Sequence, residues 1–525
     1  MSNLYGYSLK HNLANISTPM ISTNVLDPNS KTESKYLHSK TSAFPYTRSS
    51  FDVAPAIIER SQFAHLFQKG NSYCLFHSLT LRMVYGGRLL KELFSVFENA
   101  TPIENVINNY KQKDSLDVLK QVLSDLWNYR LFVKNSNEDV WLFKNLYKIG
   151  LNQSEIQHMY LLTTAACNFR CSYCFVEDDN RDLLQHHMTQ NTAKAALTVF
   201  ARLSKNSLNP RVMIYGGEPL LNPRTTFFAL LFFRQLEDSG KIPNKGNIAL
   251  LTNGSLIDEE AIRIFKKTRT TVGVSIDGPQ QLHDKARINI HGQGTFNEAY
   301  RGYKRLQNAD LNPGISCTLN AFTVEKMDEI IDFIISDLKP SSVGFNLPMP
   351  RIGNENGYSK LDHSFAVHQL ISAFERLRKV GIYEDRMMRR VRPFVNQKPH
   401  FKDCMGVGGQ IVVTPNGRVG PCQAFFGIEE DKYFPLNVKQ LAKLRNSLSS
   451  SNIYSDQLFD EWRYRFPFNM EGCINCFAIS VCGGGCPYAA AVTHGSIWKI
   501  DDRICHQAKN ILEWMIWDTY NQMKS

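Results

Sequence analysis

The sequence predicts an α/β protein: a partial (β/α)6 barrel, a cysteine-rich C-terminal domain, and a small N-terminal α+β module. Three observations lead there. Between residues 155 and 350, six short apolar runs alternate with helical patterns, the mark of βα steps and a parallel sheet. Residues 404–505 hold seven of the 12 cysteines. Residues 71–134 read as strands, three helices and a return strand.

The chain has 525 residues, enough for about three domains at roughly 150 residues each. Hydrophobic residues make up 43% and charged residues 21%, which excludes a wholly disordered or collagen-like chain. The longest apolar run, Phe227 to Phe233, is seven residues, against the ~20 that span a bilayer. Met1 to Ile16 carries Asn, Ser, Lys and His where an export signal has its apolar core. The expectation is a cytoplasmic protein with no membrane partner. Thiols stay reduced there, so clustered cysteines point to metal or redox chemistry rather than disulfides.

The net charge is +11, and Arg376 to Lys402 alone supplies +7, with nine Lys/Arg against Glu384 and Asp385. One reading is a basic groove for nucleic acid or an acidic peptide. The favoured one is a solvated helix face and linker, or charge that balances nearby anionic clusters. No nucleic-acid partner is expected.

In order, residues 1–70 are polar and read as a partly ordered extension. The module spans 71–145. Its β-prone stretch, Ser72 to Tyr85, closes at Gly86-Gly87, and Leu89, Leu90, Leu93, Phe94 and Phe97 recur at helical spacing. At Thr101-Pro102-Ile103-Glu104, Thr101 is expected to cap a helix with Pro102 in its first position. Leu116, Leu119, Leu123 and Leu126 stripe a third helix, and Leu131 to Val133 is the return strand. The barrel occupies 155–375, with strands at 159–163, 212–215, 248–251, 272–276, 315–319 and 343–345. A basic linker covers 376–403 and the cysteine-rich domain 404–525.

Functional residues in such sheets sit just after the strands. After the first strand, Cys167, Cys171 and Cys174 form C-x3-C-x2-C. Thiolates so spaced on a loop can converge on one iron–sulfur cluster, and three thiolates leave one iron of a cubane open. Phe169, Tyr173 and Phe175 would shield it from water. A zinc knot is the alternative. The second strand ends in Tyr215-Gly216-Gly217-Glu218-Pro219, the third in Thr252-Asn253-Gly254, and the fourth in Ser275-Ile276-Asp277-Gly278-Pro279, with Arg287 twelve residues after Ser275. Glycines admit close approach, Glu218 can accept from an ammonium group, Ser275 can bind a ribose hydroxyl, and Arg287 can fork onto a carboxylate. Those groups suit a ligand with an amino acid at one end and a nucleoside at the other. Each strand end taken alone is also ordinary turn chemistry.

CNFRCSYC, YGGEPLL, LTNG and SIDGP, in that order over residues 155–350, resemble the radical S-adenosylmethionine (SAM) enzymes, whose core is a partial TIM-type barrel. The resemblance implies a [4Fe–4S] cluster on Cys167, Cys171 and Cys174, chelated through its open iron by SAM. It implies one-electron cleavage of SAM to a 5′-deoxyadenosyl radical that takes a hydrogen from the substrate. It places Tyr173, Gly216 and Gly217 against SAM, Glu218 at its amino group, Ser275 at its ribose and Arg287 at its carboxylate, with Asn346 or Leu347 as the contact after the sixth strand.

Further on, Cys404 and Cys422 precede Cys473, Cys476, Cys482 and Cys486, spaced C-x2-C-x5-C-x3-C, and then Cys505. This resembles the SPASM extension of radical SAM peptide-modifying enzymes, which implies two auxiliary [4Fe–4S] clusters. Cys473, Cys476, Cys482 and Cys505 would hold the outer one, and Cys404, Cys422 and Cys486 the inner one. Two cubanes take eight ligands and seven cysteines are offered, so the inner cluster has an open iron or a ligand other than cysteine. Zinc remains the alternative. Cys74 and Cys317 read as packing residues. Sulfatase-maturing relatives carry an Asp base after the second SPASM cysteine, where this chain has Gln423, and an amide cannot take that proton. No general base is identified.

The order of elements in 71–134 resembles the winged-helix-like, PqqD-like peptide recognition modules, which imply capture of a leader peptide as an added strand. The function expected is therefore a radical SAM/SPASM maturase that crosslinks, or otherwise modifies, a ribosomally made precursor peptide held by its leader, with a flavodoxin- or ferredoxin-type reductant. A maturase of a folded protein and a non-enzymatic iron–sulfur carrier or regulator are the other two readings.

Overall fold

The structure, a computed structural model, describes residues 21–25, 35–39, 56–110, 116–153, 155–174, 187–243, 246–350, 361–427 and 429–524. Most of the N-terminal extension and Phe175 lie outside the described residues. No helix among them is long and apolar enough to cross a membrane.

The N-terminal strands are β1 (Ile21–Val25), β2 (Lys35–Ser39), β3 (Ile57–Arg60), β4 (Ala64–Lys69), β5 (Ser72–His77) and β6 (Met83–Gly86). Five form an antiparallel sheet in the order β1-β2-β6-β5-β4. Helices α1 (Arg88–Val96), α2 (Ile103–Tyr110) and α3 (Leu116–Asn128) cover it, and α4 (Ser136–Asn152) follows. The helical stripes do the packing: Leu90, Leu93, Leu119, Leu123 and Leu126 bury with Ile58, Leu75 and Val84. β3 and β4, which the sequence places in the extension, are strands of this module.

Thr101 does not cap α2. Thr101–Pro102 is a short strand, β7, paired with β3, and the Thr101 hydroxyl donates to the carbonyls of Val96 and Asn99. Pairing with a strand end satisfies the backbone there, so the helix begins one residue past the proline. The return strand β8 (Phe132–Val133) takes the other side of β3.

The barrel strands are β9 (His158–Thr164), β10 (Arg211–Gly216), β11 (Asn247–Thr252), β12 (Thr271–Ser275), β13 (Gly314–Thr318), β14 (Ser342–Asn346) and β15 (Tyr383–Glu384), each parallel to the next. Helices α5 (Gln190–Leu203), α6 (Pro223–Asp238), α7 (Glu259–Thr268), α8 (Phe296–Asn308) and α9 (Met327–Phe333) are the crossovers. α10 (His363–Lys379) leads into β15. Apolar strand residues such as Leu161, Ile214, Leu250, Val274, Ile315 and Val343 pack with Leu197, Phe233, Phe265 and Tyr303. The strands are apolar throughout because both faces are covered.

The C-terminal domain shares this sheet. β16 (Gln410–Val413) runs parallel beside β9, and β17 (Arg418–Gly420) and β18 (Leu436–Asn437) follow antiparallel. The ten-stranded sheet runs from β15 to β18 and is open and mixed.

The basic stretch is folded into the molecule. Its helix, α11 (Asp385–Val395), caps on Glu384. Arg376 pairs with Asp328 and Asp332, Arg378 with Asp518, Arg386 and Arg389 with Asp385, and buried Arg390 with Asp403. The last helix, α12 (Asp502–Lys524), joins the parts: Met515, Ile516, Trp517 and Tyr520 pack with Phe76, Met83 and Tyr85 of the module and with Phe394 of α11.

Candidate active site

Cys167, Cys171 and Cys174 lie on the loop after β9. That loop is pinned along its length. Phe169 bridges Asn289, Arg170 N donates to Ile288 O at 2.6 Å, and Ser172 N to Ala286 O at 2.8 Å. Arg170 Nη1 folds back onto the carbonyls of Cys167 and Phe169. Buried Phe169 backs the loop, and Tyr173 lies across its end.

Glycines hold the second strand end against the loop. Gly217 N donates to Thr164 O at 3.0 Å and Glu218 N to Ala166 O at 2.8 Å. A Cβ on Gly217 would stand 2.1 Å from Ala166 O, and one on Gly216 2.1 Å from Thr164 O. Both glycines thus let the second strand end lie against the backbone just before Cys167.

Glu218 is fully buried. Its Oε1 accepts from Leu220 N at 3.0 Å and Thr252 Oγ1 at 2.8 Å, and its Oε2 from Asn253 N at 2.7 Å. Three of the four acceptor positions of a carboxylate are thus filled, tying β10 to β11. Burial pushes its pKa up to about 7, against those hydrogen bonds. Asn253 Nδ2 donates to Asn168 Oδ1 at 2.8 Å, and Asn168 Nδ2 to Ser255 Oγ at 2.9 Å, so the third strand end grips the cysteine loop as well.

Asp277 gathers the fourth end. Its Oδ2 accepts from the Tyr173 hydroxyl and from Arg287 Nε at 2.9 Å, and its Oδ1 from Thr318 N at 2.9 Å. Arg287 Nη1 lies 3.7 Å from Cys171 Sγ, and its guanidinium stands 5.4 Å from the Tyr173 ring centroid. Arg287 is therefore held on Asp277 and beside a cysteine, which sequence reasoning did not foresee for either residue. Ser275 ends β12, paired with Ser316 on β13. Ser316 Oγ accepts from Asn346 Nδ2 at 3.0 Å, and Arg386 donates to Asn346 Oδ1. Leu347 is buried beside it. Ser275, Ser316 and Asn346 thus form a polar row on three successive strand ends.

The C-terminal cysteines gather in two sets. Cys476 and Cys505 lie close enough to Cys473 to raise its pKa, as Cys473 does to Cys482, and Cys404 and Cys422 do so for Cys486. Cys482 and Cys486 are joined by Gly483, Gly484 and Gly485, all at positive φ. Any Cβ on Gly483 would stand 2.4 Å from Asp403 N. Gln423 follows Cys422 and accepts from Gln410 Nε2 at 3.4 Å. Cys74 and Cys317 are fully buried packing residues.

The donor sets suit clusters. All 12 cysteines are free thiols. Burial pushes Cys167, Cys422 and Cys482 up to about 12 and Cys473 to about 11. Such sites favour thiolates only when a metal supplies compensating charge. Among the described residues no group of three or more His, Cys, Asp or Glu closes on a single ion.

Fold and site together present an α/β sheet with three cysteines and a set of buried polar groups gathered at its strand ends. Residues 161–334 match the model of the Radical SAM superfamily, whose cofactors are a [4Fe–4S] cluster and SAM. The chain is 23% identical to the radical SAM cyclopropyl synthase TigE of Paramaledivibacter caminithermalis, over 85% of this chain and 93% of that one. It is 25% identical to a cysteine-type anaerobic sulfatase-maturating enzyme of Clostridium novyi, over 61% and 84%. Among solved structures, anSMEcpe with bound AdoMet shares the fold at a TM-score of 0.56 and 20% identity, covering 70% of this chain and 99% of that one.

Proposed function

We propose that the protein is a SPASM-type peptide maturase, which crosslinks or otherwise modifies a side-chain or backbone carbon of a ribosomally made precursor peptide. The observation that carries this reading is the second cysteine region. A barrel with one cysteine loop suffices to hold SAM, yet here seven more cysteines in two sets lie in the C-terminal domain, whose first strands extend the same sheet. The similarity to TigE also runs well past the barrel.

When bound, the cluster and SAM supply one-electron cleavage of the sulfonium C–S bond and a 5′-deoxyadenosyl radical. The chain's own residues position these groups. Cys167, Cys171 and Cys174 hold the first cluster. Glu218 keeps one acceptor position for an ammonium group. Tyr173 and Gly217 border the cofactor, Ser275 faces its ribose, Arg287 its carboxylate, and Asn346 and Leu347 close the far side. Asp277 positions Tyr173 and Arg287 together, and this same ion pair tempers the attraction of Arg287 for any further anion. Cys473, Cys476, Cys482 and Cys505 hold the outer auxiliary cluster, and Cys404, Cys422 and Cys486 the inner one. The N-terminal module recognises the leader segment by strand addition, and a flavodoxin- or ferredoxin-type protein delivers the electron.

Similarity to the Clostridium novyi enzyme favours a second reading, maturation of a folded protein. Gln423, an amide held by Gln410, argues against the sulfatase form of it. The test is anaerobic incubation with SAM and a chemical reductant, first alone, then with short peptides from neighbouring reading frames or with a sulfatase peptide. Release of 5′-deoxyadenosine that stops in Cys167→Ala, with a mass change in a neighbouring-frame peptide, is the expected result. Turnover of the sulfatase peptide alone would replace this reading with the second, and no 5′-deoxyadenosine would overturn both.

A further inference from the structure

One buried cation stands between the two C-terminal cysteine sets. Arg465 is fully buried, and its described partners are all backbone carbonyls. Nη1 donates to Gly484 O at 2.8 Å and to Gly485 O at 3.4 Å, Nη2 to Lys499 O at 3.1 Å, and Nε to Ile497 O. Gly484 and Gly485 belong to the three-glycine loop between Cys482 of one set and Cys486 of the other. The guanidinium is thus gripped by the segment that joins the sets. The backbone N–H of Gly484 is hydrogen-bonded to the Cys482 sulfur, so one residue presents its carbonyl to the cation and its amide to a thiol.

The other buried cations nearby are already matched. Arg503 forks onto Asp501 with bonds of 2.9 and 3.0 Å, and Arg390 holds Asp403 at 2.7 Å. Carbonyls satisfy the donors of Arg465 without cancelling its charge. Burial works against the charged form, and Cys486, Asp501, Cys404 and Cys473 are the acidic groups close enough to favour it. Those cysteines come from both sets. Burying a cation that no carboxylate hydrogen-bonds is costly, unless the anion it serves is a cluster with its thiolates.

We propose that Arg465 is the shared counter-charge of both auxiliary clusters, and that its fixed positive charge sets their reduction potentials. The proposal rests on reading the seven cysteines as cluster ligands. Reduction adds an electron to a cluster, and a nearby cation in a medium of low dielectric stabilises the reduced form more than the oxidised one. One residue therefore raises both potentials, as a positioning residue that touches neither substrate nor SAM.

The test uses full-length protein carrying Cys167→Ala, Cys171→Ala and Cys174→Ala, so that only the C-terminal sites bind iron. Iron content and EPR-monitored redox titration are compared for this parent, Arg465→Lys and Arg465→Gln. In Arg465→Gln, iron is retained and both midpoints fall. At fixed potential, the ratio of reduced to oxidised cluster drops about tenfold, equal to about 59 mV for a one-electron couple. Arg465→Lys keeps the charge and stays near the parent. Unchanged midpoints in Arg465→Gln with full iron would overturn the proposal. Loss of iron in both variants would also overturn it, by making Arg465 a strut for the glycine loop. A parent with no iron would instead sink the cluster reading itself, and this proposal with it.

Discussion

At the scale of the residue, the strand ends are tied to one another by their own side chains. Glu218 bonds β10 to β11, Asn168 and Asn253 bond the cysteine loop to β11, and Asp277 collects Tyr173, Arg287 and Thr318. Cys167→Ala should abolish 5′-deoxyadenosine release and lower iron by about four per chain, read by product chromatography and metal analysis. Asp277→Asn removes a charged acceptor from three donors. At about 1.5–3 kcal/mol for a hydrogen bond to a charged group, SAM affinity should weaken about tenfold or more, which calorimetry on the reconstituted protein would detect. Glu218→Gln should raise the SAM concentration needed for half-maximal cleavage, because an amide turns one acceptor into a donor facing Thr252 or Asn253. The residue types were legible in the sequence, since each stands right after a strand. Their partners were not: nothing along the chain placed Gly216 and Gly217 against Thr164 and Ala166, or Asp277 beside Tyr173 and Arg287. Both roles depend on contacts between segments far apart in sequence, which spacing along the chain does not encode.

At the scale of the element, six barrel strands were legible to within one residue at each end, because strands buried on both faces form unbroken apolar runs. The strands missed are short or carry polar residues: β1 to β4 inside a polar extension, β7 with its proline, β15 inside the basic stretch, and β16 to β18 inside a glycine-rich zone. Those are paired by tertiary context, which overrides local pattern. The module and α12 form one packed unit. Tyr85 donates to Ile516 O at 2.6 Å, so Tyr85→Phe should cost about 1 kcal/mol, and Trp517→Ala about 3–5 kcal/mol, measured by denaturant melts. Asp125 on α3 provides a pH signature. It is buried, and burial pushes its pKa up to about 7, above the unfolded value near 3.8. The folded state therefore favours the proton. Its stabilising effect is complete below about pH 4 and is lost as pH rises through 7. Asp125→Asn should melt higher than wild type at pH 8 and match it near pH 4.

At the scale of the whole molecule, much of the basic segment is paired within the chain. Arg376, Arg378, Arg386, Arg389 and Arg390 all pair with acidic residues of the same chain. The barrel, the cysteine-rich domain and the N-terminal module share either one sheet or one apolar core, so the cysteine sets are held in fixed relation to the strand ends. The central claim is that three cysteine sets hold three iron–sulfur clusters. Iron and zinc content per chain, after strictly anaerobic purification and reconstitution, tests it most directly. About 12 irons per chain and no stoichiometric zinc is the predicted result. About four irons with zinc in the C-terminal sets would contradict it, leaving a radical SAM core with a structural metal cap.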